Sequence, residues 1–281
     1  RTHDQQQHAG GGGVNVARVI AELGGDPDML IVSGGATGAL LEDALRRMRL
    51  RFDWVRTEQP TRIAFMVHEE ETNLEYRFVP EGPMVDPAEI ASALAAAARF
   101  KGDFLVASGS LPRGAPDDTY ARMAAAAAAN GTKFVLDTSG APLKAALAGG
   151  HIFLVKPSLG ELGAALGREL TNADAAGAAT ELVDRGAARY VAVTLGRDGA
   201  VLAGDGNVWQ LPSVDVPVRS AVGAGDSFVA GLVWSLSVGK PIEEAFRVGV
   251  AAGAATVMTP GTELCRRDDV LAILARLPAL P

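Results

Sequence analysis

Short apolar segments of strand length alternate with longer helix-forming segments along most of this 281-residue chain. The apolar runs 104–107, 134–136, 152–155 and 190–194 are separated by longer stretches, among them the Ala-rich run 121–129. Strands that alternate with helices are typical of a parallel sheet whose crossovers are helical. The pattern predicts an α/β fold with a doubly wound, mostly parallel sheet and helices on both faces.

One region interrupts this alternation. Between Thr61 and Val79, apolar residues alternate with other residues on both sides of the polar stretch 69–73, which predicts a β-hairpin. A second hairpin is predicted over 201–211, with its turn at Asp205-Gly206-Asn207. Further helices are predicted over 14–23, 38–48, 120–129, 173–185, 227–238 and 242–258, and a strand over 29–32.

Composition and charge narrow the class of protein. Hydrophobic residues make up 48% of the chain, and the net charge of −7 with no block of Lys or Arg argues against a nucleic-acid partner. No apolar stretch approaches the roughly 20 residues of a membrane helix, and nothing resembles a signal peptide, so we expect a cytoplasmic protein without a membrane partner. Cys265 is the sole cysteine and the four histidines lack ligand spacing, so neither residue type predicts a metal site.

Open α/β sheets bind ligands beyond the carboxyl ends of their strands, and four loops there carry unusual residues. The first is the glycine run 10–13, followed by Val14 and Asn15, which opens a helix. Glycines let the backbone approach a ligand, and a helix N-terminus offers N–H groups to an anion or a sugar hydroxyl. A flexible connector is the alternative that these residues leave open.

The second loop, at 220–227, has the sequence Ser-Ala-Val-Gly-Ala-Gly-Asp-Ser and leads into an apolar helix. The N–H groups of residues 223–226 are predicted to form an anion hole for a transferring phosphoryl group. Asp226 is predicted to accept the proton of the attacking hydroxyl. The alternative is that Asp226 is only the N-cap of the helix.

The other two loops also follow predicted strands. Lys156 is suited to contact a phosphate, and Glu161 is suited to hold Mg²⁺ directly or through water. A strand-to-helix turn with a surface lysine and a first-turn glutamate is the alternative. The segment 194–199 predicts either a plain glycine turn or a contact with the phosphate and ribose of a nucleotide. The chain has no G-x-x-x-x-G-K-[ST] sequence, which excludes a P-loop kinase, and the dinucleotide-binding fingerprint is also missing.

These four loops, in this order, resemble those of the PfkB (ribokinase-like) family of carbohydrate kinases. Ala224-Gly225-Asp226 with its flanking glycines is the most specific mark, and the glycine run ahead of Asn15 is the second. Other similar segments cover nearly the whole chain: GGATG at 34–38, YRFVPEG at 76–82, SGSLPRG at 108–114, DTSG at 137–140 and PGTELC at 260–265. The resemblance implies one ribokinase-like domain over 1–281, with a small β-sheet lid formed by about 1–8 and 61–80.

The resemblance also implies the reaction and the residues that serve it. MgATP is the expected donor and fructose 6-phosphate the expected acceptor. The sugar-binding residues are expected to be Gly11, Gly12, Gly13, Asn15, Arg62, Arg77 and Ser110. The ATP-binding residues are expected to be Lys156, Ser158, Thr194, Gly196 and Gly199, with Glu161 for Mg²⁺. Gly223, Ala224 and Gly225 are expected to form the anion hole and Asp226 to be the base. A monovalent cation such as K⁺ is expected near Ser220, Val222, Thr256, Thr259 and Gly261. A homodimer is expected because lids of this kind pair between subunits in relatives.

The sequence departs from the family pattern in two places. Ser158 stands where the family's N-x-x-E metal motif has Asn. Relatives begin with a strand whose Asp grips the sugar hydroxyls, whereas this sequence begins at Arg1 in a polar stretch, so a preceding segment is expected. Gly12 stands where kinases of fructose 1-phosphate and tagatose 6-phosphate usually carry Lys, which favours fructose 6-phosphate over those alternatives. A catalytically silent sugar- or nucleotide-binding protein is the alternative of another class.

Overall fold

The computed structural model describes residues 6–69, 71–72 and 74–281. The helices in this part of the chain are α1 (Gly12–Glu22), α2 (Gly35–Arg47), α3 (Pro87–Arg99), α4 (Thr119–Ala129), α5 (Gly140–Gly149), α6 (Leu159–Leu166), α7 (Ala175–Asp184), α8 (Ala224–Ser237), α9 (Ile242–Thr256) and α10 (Arg267–Leu274). The strands are β1 (Asp28–Gly34), β2 (Arg51–Thr57), β3 (Phe65–Glu69), β4 (Leu74–Phe78), β5 (Phe104–Ser108), β6 (Lys133–Asp137), β7 (Ile152–Val155), β8 (Ala188–Thr194), β9 (Ala200–Gly204) and β10 (Asn207–Leu211).

Six strands form the main sheet, in the order β10-β9-β8-β7-β6-β5. The four strands β5 to β8 are parallel, and β9 and β10 continue the sheet as an antiparallel hairpin. The hairpin turns at Asp205 and Gly206, whose φ angles of 49° and 76° fit the type I′ turn that Asp-Gly favours. The mostly parallel sheet and this hairpin are therefore confirmed.

Helices cover both faces of the main sheet, and the alternation of side chains along each strand decides which core a residue enters. On β6, Val135 packs into the core that contains side chains of α1, α8 and α9. Its neighbours Phe134 and Leu136 pack into the opposite core, with side chains of α4 to α7. A strand buried on both faces is apolar throughout, which explains why these strands appear in the sequence as short uninterrupted apolar runs.

The strands β1 and β2 form a separate parallel pair. Met29 and Ile31 of β1 pack with Leu45 of α2 in a small core of their own. No ladder of backbone hydrogen bonds joins β1 to β5 within the described residues, and both strands line one large cavity. Leu30 and Val32 are each 40% exposed there. The first strands of the chain are therefore supported less well than the main sheet.

The predicted hairpin over 61–79 is confirmed as the antiparallel pair β3–β4. Its register pairs Phe65 with Phe78 and Val67 with Tyr76, so these four side chains lie on one face. Residues 6–8, which were expected to belong to the lid, have no regular secondary structure, and residues 1–5 lie outside the described residues. Among the helices that the structure describes, none has the length and apolar character needed to span a membrane.

Candidate active site

The carboxyl ends of four parallel strands meet at one edge of the main sheet. Ser108 ends β5, Asp137 ends β6, Lys156 follows β7 and Thr194 ends β8. The N-termini of α1 and α8 reach the same edge, because Asn15 of α1 and Ser108 both contact Asp226 of α8. This is the edge where open α/β sheets bind their ligands.

The helix α8 begins with the glycine-containing loop singled out in the sequence. Gly223 is its N-cap, with a φ of 80°, and Asp226 is the third residue of the helix. This positive φ favours glycine, and a Cβ here would in addition displace the Leu264 side chain, whose Cδ2 lies 2.6 Å from its position. The helix begins at Ala224, three residues before Ser227, where the sequence predicted its start. Since Gly223 is the N-cap, the alternative that Asp226 is the N-cap is wrong.

Both carboxylate oxygens of Asp226 accept hydrogen bonds from distant parts of the chain. Asn15 donates through Nδ2 to Oδ2 and Ser108 donates through Oγ to Oδ1, each at 2.9 Å. Burial raises the pKa of Asp226, and these two hydrogen bonds and the charges of Lys156 and Arg77 oppose the rise without cancelling it. Asp226 is thus a partly buried carboxylate whose pKa lies above the ordinary value and whose orientation is fixed by two donors.

Lys156 lies beneath the start of α8. Its Nζ is 3.2 Å from Oδ1 of Asp137, and the residue is 4% exposed. A Cβ on Gly225 would lie 3.4 Å from this Nζ, so the helix passes directly over the ion pair. Burial raises the pKa of Asp137 to about 6; Lys156 opposes the rise, whereas Asp226 and Glu161 add to it. The alternative of a surface lysine is wrong.

Glu161 closes a capping box at the start of α6. Ser158 is the N-cap, and its N and Oγ donate to Oε2 of Glu161 at 2.8 and 2.9 Å. The first-turn glutamate of the alternative reading is therefore present, and the magnesium role of Glu161 stays a prediction. Among the described residues, no group of three or more Asp, Glu, His or Cys side chains is suited to hold a metal ion by itself. This donor set fits Mg²⁺ that arrives with a nucleotide, because Mg²⁺ usually takes one or two carboxylates plus phosphates and waters.

The loop 194–199 joins two strand ends. Thr194 donates its N–H to the carbonyl oxygen of Pro157 at 3.1 Å. Gly199 has a φ of 99°, and a Cβ there would lie 2.0 Å from the carbonyl oxygen of Leu211, so this glycine is required by packing. Gly196 has a φ of 61° and open space around its Cα. Of these two glycines, Gly196 is the one whose surroundings leave room for a ligand.

The residues expected to bind the sugar line a cavity of about 2500 Å³, which exceeds the roughly 300–1,000 Å³ of most small-molecule sites because it continues between β1 and β5. They are Gly11, Gly12, Gly13, Asn15, Arg62, Arg77 and Ser110. Lys156, Ser158, Thr194 and Gly196 do not line this cavity. Asn15 and Ser108 line the cavity, and both are hydrogen-bonded to Asp226. Asp226 therefore lies between the residues expected to bind the sugar and those expected to bind the nucleotide.

The two segments expected near a monovalent cation lie side by side, because Ser220 donates its N–H to the carbonyl oxygen of Val257 at 3.4 Å. Within them, Thr256 Oγ1 donates to Ser227 Oγ at 2.7 Å, and Thr259 Oγ1 donates to the carbonyl oxygen of Thr256 at 2.8 Å. These bonds use the hydroxyl hydrogens, so lone pairs of the hydroxyl oxygens and the backbone carbonyl oxygens are the groups available to a cation. Gly261, with a φ of 59°, and Val222 line the neighbouring cavity.

Sequence reasoning assigned no role to Ser108 or Asp137, although both occur in segments that carry the family resemblance. Each is the last residue of a parallel strand in the main sheet. The rule that functional side chains collect at carboxyl strand ends would have identified both.

Comparisons with known proteins assign the family. The sequence matches the pfkB family carbohydrate kinases over residues 1–269. It is 42% identical to ATP-dependent 6-phosphofructokinase isozyme 2 of Mycobacterium tuberculosis, over 93% of this chain and 77% of that protein. The fold superposes on Escherichia coli phosphofructokinase-2 in complex with potassium, with a TM-score of 0.92, 37% identity, and coverage of 98% of this chain and 93% of the other. The tetrameric inhibited form of the same E. coli protein gives a TM-score of 0.91 at 36% identity, with 98% and 92% coverage.

This chain belongs to the pfkB family of carbohydrate kinases. It therefore has the ribokinase-like fold that the loops implied, and it is a kinase. Kinases of this family use ATP and a divalent metal ion.

Proposed function

We propose that this protein is an ATP-dependent 6-phosphofructokinase, which converts fructose 6-phosphate and ATP into fructose 1,6-bisphosphate and ADP. The observation that carries this proposal is the position of Asp226, which sits in the first turn of α8 and is held by donors from α1 and β5 beside the sugar-side cavity. The 42% identity to a 6-phosphofructokinase over 93% of the chain supports this choice of substrate.

In the proposed reaction, Asp226 removes the proton from the 1-hydroxyl of fructose 6-phosphate. The resulting oxygen forms a bond to the γ-phosphorus of ATP while the bond from that phosphorus to the β–γ bridging oxygen breaks, and ADP leaves. The N–H groups of Gly223, Ala224 and Gly225 stabilise the negative charge that spreads over the transferring group. The raised pKa of Asp226 makes it a stronger base than an ordinary aspartate.

Lys156, Ser158, Thr194 and Gly196 are proposed to bind the nucleotide, and Glu161 is proposed to hold its Mg²⁺ directly or through a water molecule. Bound Mg²⁺ supplies charge neutralisation on the phosphates. Lys156 contributes a buried positive charge that Asp137 keeps in place at 3.2 Å. The carbonyl oxygens around Ser220, Val222, Thr256, Thr259 and Gly261 are proposed to bind K⁺, as supported by the potassium complex of the E. coli relative. A cytoplasmic location stays a prediction.

Gly12 supports fructose 6-phosphate over the substrates of sister kinases. A Cβ on Gly12 would lie 2.3 Å from Oγ and 2.7 Å from the carbonyl carbon of Ser108. A lysine at this position, as in those kinases, would therefore displace Ser108 from Asp226 unless the backbone moved. The intact Asp226 contacts also argue against a catalytically silent binding protein.

A coupled assay for ADP release tests the proposal directly. Fructose 6-phosphate, fructose 1-phosphate and tagatose 6-phosphate are compared at equal concentrations, with Asp226→Asn as the blank. The highest kcat/KM is expected for fructose 6-phosphate. A higher kcat/KM for one of the other two sugars would reassign the substrate, and no turnover with any sugar would favour a binding protein.

Replacing Arg62 by Ala is expected to raise the KM for the sugar phosphate and leave the KM for ATP nearly unchanged. Arg62 lines the sugar-side cavity, and an Arg–phosphate hydrogen bond contributes about 1.5–3 kcal/mol, or roughly 10- to 150-fold in KM. Steady-state kinetics with each substrate varied in turn measure the effect. Arg122→Ala, an exposed arginine on α4 outside the cavity, is the matched control. Equal increases in both KM values would remove Arg62 from the sugar site.

The lid is proposed to pair between two subunits of a homodimer. One face of β3–β4, the apolar lid face, ends at Glu69 and otherwise carries five exposed residues: Phe65, Val67, Leu74, Tyr76 and Phe78. The register places Met66 and Arg77 on the other face of the hairpin, and both line the sugar-side cavity. Phe65, Val67 and Tyr76 of the apolar lid face border the cavity as well. An exposed apolar face of this kind is suited to a second copy of the same hairpin.

Phe65→Ser is expected to weaken this dimer by at least about tenfold in Kd, because Phe65 is 55% exposed in the monomer and its burial in a dimer contributes about 1.5–3 kcal/mol. Analytical ultracentrifugation over a concentration series measures the change. His68→Ser, on the opposite face of the same strand, is expected to leave the Kd unchanged. If Phe65→Ser dimerises as tightly as the wild type, the apolar lid face is not the interface.

A further inference from the structure

Arg18 lines the sugar-side cavity, and it reaches Asp226 only through another side chain. It lies on α1, one turn beyond Asn15, and its Nη1 donates to Oδ1 of Asn15 at 3.4 Å and to the carbonyl oxygen of Ala9 at 2.9 Å. Burial lowers the pKa of this guanidinium, whereas the charge of Glu263 raises it. An arginine stays protonated even so, and it presents donors and no acceptor.

The amide of Asn15 lies between two groups of opposite hydrogen-bonding character. Arg18 can only donate, and the ionised carboxylate of Asp226 can only accept. One orientation of the amide satisfies both: Oδ1 faces Arg18, and Nδ2 faces Asp226 at 2.9 Å. The opposite orientation would set the amide oxygen against a carboxylate oxygen and the amide N–H groups against a guanidinium.

We propose that Arg18 is a positioning residue for phosphoryl transfer, which holds the Asn15 amide so that its N–H group keeps donating to Oδ2 of Asp226. This inference rests on the proposed role of Asp226 as the base. The terminal torsion of an asparagine has broad wells, so the amide needs a partner on its oxygen to keep one orientation. Arg18 supplies that partner and also ties it to the backbone just before the glycine run, at Ala9.

The other groups that face Asp226 come from different elements and do not contact Arg18. Ser108 at the end of β5 donates to Oδ1, Lys156 after β7 and Arg77 of β4 contribute positive charge, and Asp137 at the end of β6 contributes negative charge. All of them remain in a variant of Arg18. A change in the titration of Asp226 in such a variant therefore reports on the hydrogen bond from Asn15 to Asp226.

Arg18→Met tests the inference, because methionine keeps much of the apolar stem and removes every donor. We expect kcat to fall about tenfold, the lower end of the effect of losing a hydrogen bond to a charged group, with the Kd for MgATP unchanged. The acidic limb of the kcat–pH profile should move to higher pH by about 0.5–1 unit, because a donor to the ionised form lowers the pKa of a carboxylate. Arg18→Lys, which keeps a donor-only cation, should restore part of the shift.

Asn15→Ala removes the hydrogen bond to Asp226 directly and should move the acidic limb of the kcat–pH profile to higher pH as well. The double variant Arg18→Met/Asn15→Ala should move it no further, since both changes remove one hydrogen bond. Arg185→Met, at the exposed end of α7, is the control and should leave the limb unchanged.

A wild-type acidic limb in Arg18→Met, or additive shifts in the double variant, overturns the inference. If Arg18→Met does not fold, the single variant Asn15→Ala provides the test. An acidic limb of its kcat–pH profile at the wild-type position would also overturn the inference. Failure of the proposed function is recognised separately, because Asp226→Asn would then stay active. If Asp226→Asn is inactive but Arg18→Met keeps the wild-type acidic limb of the kcat–pH profile, only the role of Arg18 is rejected.

Discussion

Replacing Asp226 by Asn is expected to lower kcat roughly 10²–10⁴-fold, the usual contribution of a general base. The asparagine keeps the shape of the side chain, so it can stay between Asn15 and Ser108 but cannot take a proton from the sugar hydroxyl. The Kd for MgATP should change little, because the residues proposed to bind ATP lie at the ends of β7 and β8. Stopped-time assays for ADP and calorimetry with MgATP measure the two quantities.

Asp215→Asn is the matched control for this experiment. Asp215 is exposed, and its backbone oxygen, not its carboxylate, accepts a hydrogen bond from Arg276. Its kcat should equal that of the wild type. If Asp226→Asn keeps more than a third of wild-type kcat, Asp226 is not the base, and its two hydrogen bonds would be structural.

Replacing Lys156 by Met is expected to destabilise the protein by about 3–5 kcal/mol near pH 8, because the change leaves the buried carboxylate of Asp137 without its counter-charge. The nucleotide site should be affected as well, with a higher KM for ATP. Urea unfolding measures the loss of stability, and Lys144→Met, an exposed lysine on α5, is the control.

The same loss should shrink as the pH falls. Asp137 has a folded-state pKa of about 6, raised by burial, against an ordinary value of 3.8. A carboxyl whose pKa is raised on folding contributes stability that is present below the unfolded pKa and lost as pH rises through the folded one. Without Lys156 that pKa rises further, so Asp137 is protonated at pH 5 and the unpaired charge disappears.

The difference in unfolding free energy between Lys156→Met and the wild type should therefore be smaller at pH 5 than at pH 8. The double variant Lys156→Met/Asp137→Asn should recover most of the stability at pH 8, because neither charge remains. An equal loss at both pH values would mean that the cost comes from packing and not from the charge of Asp137.

The main sheet was predictable because its strands are buried on both faces. Residues 134–136 and 190–194 show this as unbroken apolar runs, and the Asp205-Gly206 turn fixes the final hairpin. The strand β2 was not predicted, since Arg51–Thr57 mixes charged and apolar residues and is buried mainly at Val55. Such a half-exposed strand lacks the signal that identified the others.

Capping residues mark the starts of two helices whose bounds the sequence analysis did not give. Asp86-Pro87 with Glu89 forms a capping box at the start of α3, and Ser158 with Glu161 does the same for α6. Both follow the rule of a capping residue with an acid three positions later. The alternative interpretation of this segment had already placed Glu161 in the first turn of a helix, and the structure shows that turn as the start of α6.

The candidate site was predicted in its residue types but not in its contacts. Asp226 and Asn15 are 211 positions apart, and Ser108 is 118 positions from Asp226. Local pattern carries no information about such pairs, because crossovers of the sheet bring them together. The burial of Lys156 under α8 was likewise missed, since its depth depends on the helix that passes over it.

Because β1–β2 is separate from the main sheet, this pair of strands should unfold locally at a lower free-energy cost than the main sheet. The pair has its own small core around Met29, Ile31 and Leu45, whereas β6 to β8 lie between two large cores. Local opening costs least where few apolar contacts are lost, so amide hydrogens of β1–β2 should exchange with solvent before those of β6–β8. The helix α1, which carries residues proposed to bind the sugar, packs on β1 as well as on the main sheet. The sugar site therefore borders the less stable β1–β2 pair, whereas the proposed nucleotide site at the ends of β7 and β8 does not. On warming, recognition of the sugar is therefore the first property of this kinase to weaken.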